Sequence, residues 1–180
     1  GELRAALPDV RVGSTPPGTL TAATSSRSHA PDAFGWSAFA MLAVLVFAAD
    51  QTLKALVSAT VELGRVVPGI GPLSLTHLRN SGIAFGLFPN QTTVIAALSL
   101  VVVAVLLVHF ARAGARIPVL PVALGLVAGG TVSNLVDRVR LGYVVDYLRL
   151  PYWPSFNLAD AFIVAGVGCL LVSYSRMSRH

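Results

Sequence analysis

The chain has 180 residues, 54% of them hydrophobic and only 12% charged, and a mean hydropathy of +0.73. A soluble domain carries about 25% charged residues, so this composition leaves too little polar sequence to cover a soluble core. The net charge of +5 does not indicate a nucleic-acid partner, because Lys and Arg are scattered singly with no basic stripe between aromatics.

Residues 1–33 are rich in Pro, Ser, Thr, Ala and Gly without apolar periodicity, which predicts a disordered N-terminal tail. Residues 34–180 read as one membrane domain. Its four apolar segments run over about 34–57, 92–110, 117–136 and 159–175. A bilayer crossing takes roughly 17–25 predominantly apolar residues, so each segment is a candidate span. The third contains Pro118, Pro121 and a Gly129-Gly130 pair. Four spans put both termini on one side. The short basic connection from Ala111 to Arg116 favours the cytoplasm for that side. Segments 58–91 and 137–158 then lie outside the cytoplasm. Both carry Pro, Gly and β-branched residues, which predicts short strands. Arg140–Leu150, RLGYVVDYLRL, reads as a glycine turn followed by a strand. The single cysteine, Cys169, lies in an apolar run and excludes an intramolecular disulfide.

Beyond the tail the acidic residues are Asp50, Glu62, Asp137, Asp146 and Asp160. In the expected topology the four aspartates all fall at the outer ends of spans or in the loop joining two of them. Asp50 and Lys54 are an i, i+4 pair on the first span, and Lys54 is the only lysine. Gly130, Asn134, Asp137 and Arg138 follow i, i+4, i+7, i+8 spacing and share one broad helix face. Period two puts Asp146 on the more apolar face of its strand, with Val144, Leu148 and Leu150. Asn157 is placed to cap the fourth span, with Asp160 at its third position.

Each residue also has a bland reading. Asp160 is then a helix-start carboxylate, Asp50 with Lys54 a stabilising pair, and Asp137 with Arg138 a structural brace. Asp146, a carboxylate on an apolar strand face without an obvious partner, is hardest to explain that way. An acid at the bilayer centre costs about 2.5–3.5 kcal/mol, so several together read as a functional site. Two aspartates in contact share one proton; one then activates water while the other protonates a carbonyl oxygen or leaving amine. His29, His77, His109 and His180 form no zinc-binding spacing, so no metal or other cofactor is expected. No serine is placed by spacing beside Lys54, and no suitable histidine serves a covalent serine mechanism.

At these residues the sequence resembles the lipoprotein signal peptidases (signal peptidase II). The resemblance covers residues 40–175. It rests on Asp50-Gln51-x-x-Lys54, Asn80-Ser-Gly82-Ile-Ala84-Phe85, Gly129-Gly130-x-x-x-Asn134-x-x-Asp137-Arg138, Val144-Val145-Asp146-Tyr147 and Phe156-Asn157-x-Ala159-Asp160. It implies a four-transmembrane-helix bundle with a small extracytoplasmic β-rich cradle and loop. It implies an aspartyl endopeptidase of the bacterial cytoplasmic membrane, cutting diacylglyceryl-modified prolipoproteins just before the lipidated cysteine. Its partners would be those substrates and membrane lipids. Asp146 and Asp160 would be the catalytic pair, with Asp137 the rival for the first acid. Asn134, Asp137, Arg138 and Asn157 would support the pair. Asn80 and Gly82 would hold substrate or order the loop, while Asp50 and Lys54 would be structural. Asp146 is preferred to Asp137 because the adjacent Arg138 suits Asp137 to ion pairing. The departures are Ile83 for a smaller residue, Tyr147 for phenylalanine, and only 13 residues between Asp146 and Asp160. A proton-coupled transporter would use the aspartates as a relay, but predicts them nearer mid-span and often in repeated halves. A non-catalytic scaffold would leave four outer-end aspartates unexplained.

Overall fold

A computed structural model of the chain describes residues 32–82, 91–113 and 119–177. The expected tail up to residue 31, the Ile83–Phe85 part of the second motif, the start of the third span at 117, His29 and His180 lie outside those residues.

The first helix, α1, runs Ala33–Thr60 and opens on Asp32, whose Oδ1 accepts the Gly35 N–H at 2.8 Å. The helices α2, Thr92–Ala113, α3, Leu120–Leu141, and α4, Leu158–Met177, follow. All four are long and apolar enough to cross a membrane. The third helix ends at Leu141, not near residue 136 as its apolar run suggests. The charged turn containing Asp137, Arg138 and Arg140 stays helical until Gly142, at φ 80°, closes it in the left-handed conformation.

The most apolar stretch of α3 is 67% buried, against 22% for α1 and 11% for α2 and α4. The other three helices therefore pack around α3. Two glycines permit that approach. A Cβ on Gly129 would stand 2.5 Å from the Ala43 carbonyl oxygen of α1, and one on Gly130 would stand 2.6 Å from that of Ala159 on α4. At the other end of the molecule Trp36 and Phe39 of α1 pack on Phe110 of α2, above Leu120 and Leu124 of α3. The outward faces carry Met41, Leu45, Leu98, Val101, Val164 and Leu171, all exposed. Such a continuous apolar exterior suits hydrocarbon, not water.

A small antiparallel sheet of three strands sits where α1 ends and α4 begins. Its order is β1 (Val66–Pro68), β2 (Ser74–Asn80), β3 (Val144–Arg149). Between Leu75 and Leu78 the register slips by one residue, a bulge in β2. Thr76 and His77, at the bulge, brace the sheet on Arg65 and Val61 through side-chain bonds of 3.0 and 2.8 Å. Beyond the bulge Leu78 pairs with Asp146 and Asn80 with Val144. The short connection from β3 to α4 folds straight back: the N–H groups of Tyr147 and Leu148 both donate to the Phe156 carbonyl, at 3.0 and 2.8 Å. Residues 144–147 are all buried, so both faces of β3 are covered and period two does not separate inside from outside there.

Candidate active site

The first turn of α4 carries one acid of the site. Asn157 is its cap: its side-chain oxygen accepts the Asp160 N–H at 2.9 Å, and Asp160 Oδ2 accepts the Asn157 N–H at 3.1 Å. This reciprocal capping box satisfies two helix-end donors and fixes the Asp160 rotamer. The other carboxylate oxygen, Oδ1, accepts from Asn134 Nδ2 of α3 at 2.8 Å. Asp160 is therefore a helix-start carboxylate and also faces the cavity.

The second acid stands on β3. Asp146 accepts from Asn80 Nδ2 at 2.9 Å and from Asn157 Nδ2 at 3.1 Å. The sequence suggested a carboxylate without a partner; strand pairing and the helix cap supply two. Asn80 also holds its own turn through the Gly82 N–H, which donates to Asn80 Oδ1 at 3.0 Å. Asn157 thus touches both aspartates: its side-chain amide donates to the Asp146 carboxylate and its backbone N–H to the Asp160 carboxylate. Burial pushes the Asp146 carboxyl up to about 7; the Asn80 hydrogen bond opposes that shift, and the nearby Asp160 charge adds to it.

Both aspartates line one cavity of about 590 Å³, together with Asn80, Gly82, Asn134 and Arg138. Most of the rest of the wall is apolar and includes Trp153, Phe156, Ile163 and Val164. Six of the sequence-derived site residues thus meet in one place, with Asn157 bridging two of them.

Asp50, Lys54 and Asp137 lie elsewhere. Lys54 Nζ is 2.7 Å from Asp50 and 2.8 Å from Asp137, and it donates to Asn134 Oδ1 at 2.8 Å. The three charged residues are 0%, 3% and 4% exposed for Asp50, Lys54 and Asp137, so this is a buried ion network. Asp137 and Lys54 border a separate cavity of about 200 Å³ that neither Asp146 nor Asp160 lines. The expected Asp137–Arg138 brace is therefore corrected: Asp137 pairs with Lys54. Adjacent helix residues point about 100° apart and cannot face one another. Arg138 turns to the large cavity, where its Nη1 donates to the Asn134 carbonyl at 3.3 Å. The shared face of α3 accordingly divides, with Gly130, Asn134 and Arg138 toward α4 and Asp137 toward α1.

Sequence reasoning assigned no role to three contributors. Ser133 Oγ donates to Asp50 Oδ2 at 2.6 Å and accepts from Gln51 Nε2 at 3.0 Å. Gln51 also donates to Asp137 Oδ1 at 2.8 Å. Tyr147 donates to Asp50 Oδ1 at 3.0 Å. The i, i+4 relation of Ser133 to Asp137 was the available signal for the first. Ser133 serves the ion network and does not line the large cavity. His77 and His109 also stay clear of it; His109 bonds Tyr174 at 2.7 Å. Among the described residues no buried side-chain polar atom lacks a partner.

Two carboxylates opening on a cleft with a largely apolar wall can activate water against an amide held in an apolar chain. A family model described as signal peptidase (SPase) II matches residues 42–176. The chain is 42% identical to a lipoprotein signal peptidase of Moorella thermoacetica over 130 residues, 72% of this chain and 87% of that protein. It is 43% identical to the lipoprotein signal peptidase of Pelotomaculum thermopropionicum over 129 residues, 71% and 84% of the two chains. Its fold matches a solved bacterial membrane enzyme with a TM-score of 0.75 at 26% identity, covering 79% of this chain and 90% of that one.

Proposed function

The chain belongs to the signal peptidase II family, and from that premise we propose how its two cavity-facing aspartates cut a lipid-anchored precursor. It is a multi-pass membrane aspartic peptidase that removes signal peptides from prolipoproteins. The transporter alternative has no support, because the proteins it matches are peptidases.

Asp146 and Asp160 share one proton across a bound water. The ionised carboxylate takes a proton from that water as its oxygen attacks the scissile carbonyl carbon, and the protonated one donates to the carbonyl oxygen. The tetrahedral intermediate then collapses: the C–N bond breaks, the carboxyl that received the water's proton passes it to the leaving amine, and a hydroxyl of the intermediate returns its proton to the other carboxylate as the carbonyl re-forms. Water and amide become acid and amine, and the pair returns to its single proton. Asn157 holds both acids in place, Asn134 aims Asp160, and Asn80 steadies Asp146. Arg138 presents guanidinium donors to peptide carbonyls in the cleft, and Gly82 orders the turn beside it. Asp137, tied to Lys54 and away from the cavity, supports the frame with Asp50.

The apolar wall formed by Ile163 and Val164 runs along α4 away from the acids. It suits the acyl chains of a diacylglyceryl-modified cysteine, with cleavage just before that residue. The sheet and the acids face outside the cytoplasm in this reading and both termini face inward, consistent with Arg112 and Arg176 at the opposite end. The compartment is the bacterial cytoplasmic membrane, and the strands form a cradle beside a four-helix bundle.

The single observation that carries the proposal is the meeting of Asp146 and Asp160 on one cavity, bridged by Asn157. Asp146→Asn and Asp160→Asn are each expected to lower cleavage of a diacylglyceryl prolipoprotein peptide by roughly 10²- to 10⁴-fold. Both variants should still insert and unfold cooperatively. Full activity of either would defeat the assignment.

A further inference from the structure

We propose that Tyr147 is a positioning residue for peptide cleavage: its hydroxyl joins Asp50 to the first amide of α4 and so sets where Asp160 stands relative to Asp146. The inference rests on the aspartate-pair reading above and extends it to a residue outside the cavity.

Tyr147 follows Asp146 on β3, and successive strand side chains point to opposite sides. Asp146 faces the cleft, while Tyr147 is 1% exposed on the other side. Its O–H donates to Asp50 Oδ1 at 3.0 Å, and the same oxygen accepts the Leu158 N–H at 3.0 Å. Its own N–H donates to the Phe156 carbonyl at 3.0 Å. Tyr147 therefore grips the chain on both sides of Asn157, the residue that bonds both acids. The neighbouring Ala159 N–H donates to Asp50 Oδ1 at 3.1 Å, so a buried carboxylate and a phenol together receive the first two amides of the helix.

A helix presents its first amides without internal partners, and a buried donor left unmatched is costly. Here the strand bearing one acid supplies a partner to the helix bearing the other. Burial, and then the Asp50 charge, push the Tyr147 phenol above its ordinary range, so it keeps the proton it donates. Without the hydroxyl the ring still fills its site, but Leu158 loses its acceptor and the first turn of α4 is free to shift against β3. Catalysis is more sensitive to such a shift than folding is, because misplacing a reacting group by about 1 Å can cost 10²-fold in rate.

The test uses the full-length protein in lipid with a diacylglyceryl prolipoprotein peptide. Tyr147→Phe removes the hydroxyl. Leu158→Pro removes the N–H it receives, at the first helical position, where proline is well tolerated. Each is expected to lower kcat about tenfold, leave KM nearly unchanged, and draw together the two limbs of the pH–rate profile as the acids interact less. The double variant should be no slower than either single one, since both remove the same bond. Wild-type kcat and unmoved pH limbs in Tyr147→Phe would overturn the proposal, as would lowered thermal stability without a change in the pH profile. If Tyr147→Phe does not fold, Leu158→Pro decides by the same readings. Asp146→Asn and Asp160→Asn are assayed alongside: cleavage by those variants refutes the dyad itself, whereas their inactivity beside a wild-type-like Tyr147→Phe refutes this inference alone.

Discussion

Asp146 keeps its proton to about pH 7 mainly because burial removes water that would stabilise the anion. In the proposed mechanism the pair works with one proton, so raising the pH through that value should empty it and remove activity. The alkaline limb of kcat/KM is expected near 7 as a property of the coupled pair. The Asn80 hydrogen bond at 2.9 Å favours the ionised form. Asn80→Ala should therefore let the proton bind more tightly and move that limb to higher pH, which a pH–rate series would measure. A downward shift would show that the Asn80 amide does not stabilise the anion. Asp146 itself was readable from the sequence as a carboxylate in a β-branched, aromatic run. Its dependence on Asn80 was not, since the two are 66 residues apart. They meet only through a strand register that no local spacing reports.

The element that aims the second acid is α4, and its seat on α3 depends on a missing side chain. A methyl at Gly130 would stand 2.6 Å from the Ala159 carbonyl oxygen and 2.9 Å from Ile163 Cγ1. It must push away the turn that carries Asp160. Gly130→Ala is expected to lower cleavage at least tenfold while the helices still form. Gly168→Ala, on α4 with nothing within 4 Å of the added carbon, should leave cleavage unchanged. Assaying both in one membrane preparation checks the claim, and equal activities would refute it. The helices themselves were legible because long apolar runs have few other solutions. The end of α3 was not, because Asp137, Arg138 and Arg140 look like a loop until Lys54 and the cavity are known to receive two of them. The three-residue strand β1 gives almost no periodic signal. Tyr147 and Ser133 carry hydroxyls within apolar stretches, a pattern that ordinary core residues share.

Across the whole molecule, the ion network and the proposed catalytic pair divide the work of holding and cutting. Lys54 pairs with both Asp50 and Asp137, and through them and Ser133, Tyr147 and Asn134 the network ties α1 to α3, β3 and the start of α4. Removing one partner from a buried charge set leaves the rest uncompensated and costs about 3–5 kcal/mol. Lys54→Met should accordingly lower Tm by roughly 6–20 °C for a chain of this size, with activity falling as the fold loosens. Asp146→Asn should act in the opposite way. Its carboxyl binds a proton more tightly in the folded chain than in the unfolded one, so the acid's contribution to stability is full below its unfolded pKa and is lost as pH rises toward about 7. At pH 8 the amide variant should therefore match or exceed the wild-type Tm, and its advantage should shrink toward pH 4, while at the wild type's optimal pH it cleaves roughly 10²- to 10⁴-fold more slowly. Thermal unfolding in one detergent at both pH values, read beside peptide cleavage, separates the two roles. If Lys54→Met melts like the wild type, the network is not the frame; if Asp146→Asn melts far below the wild type at pH 8, the buried acid is holding the fold together.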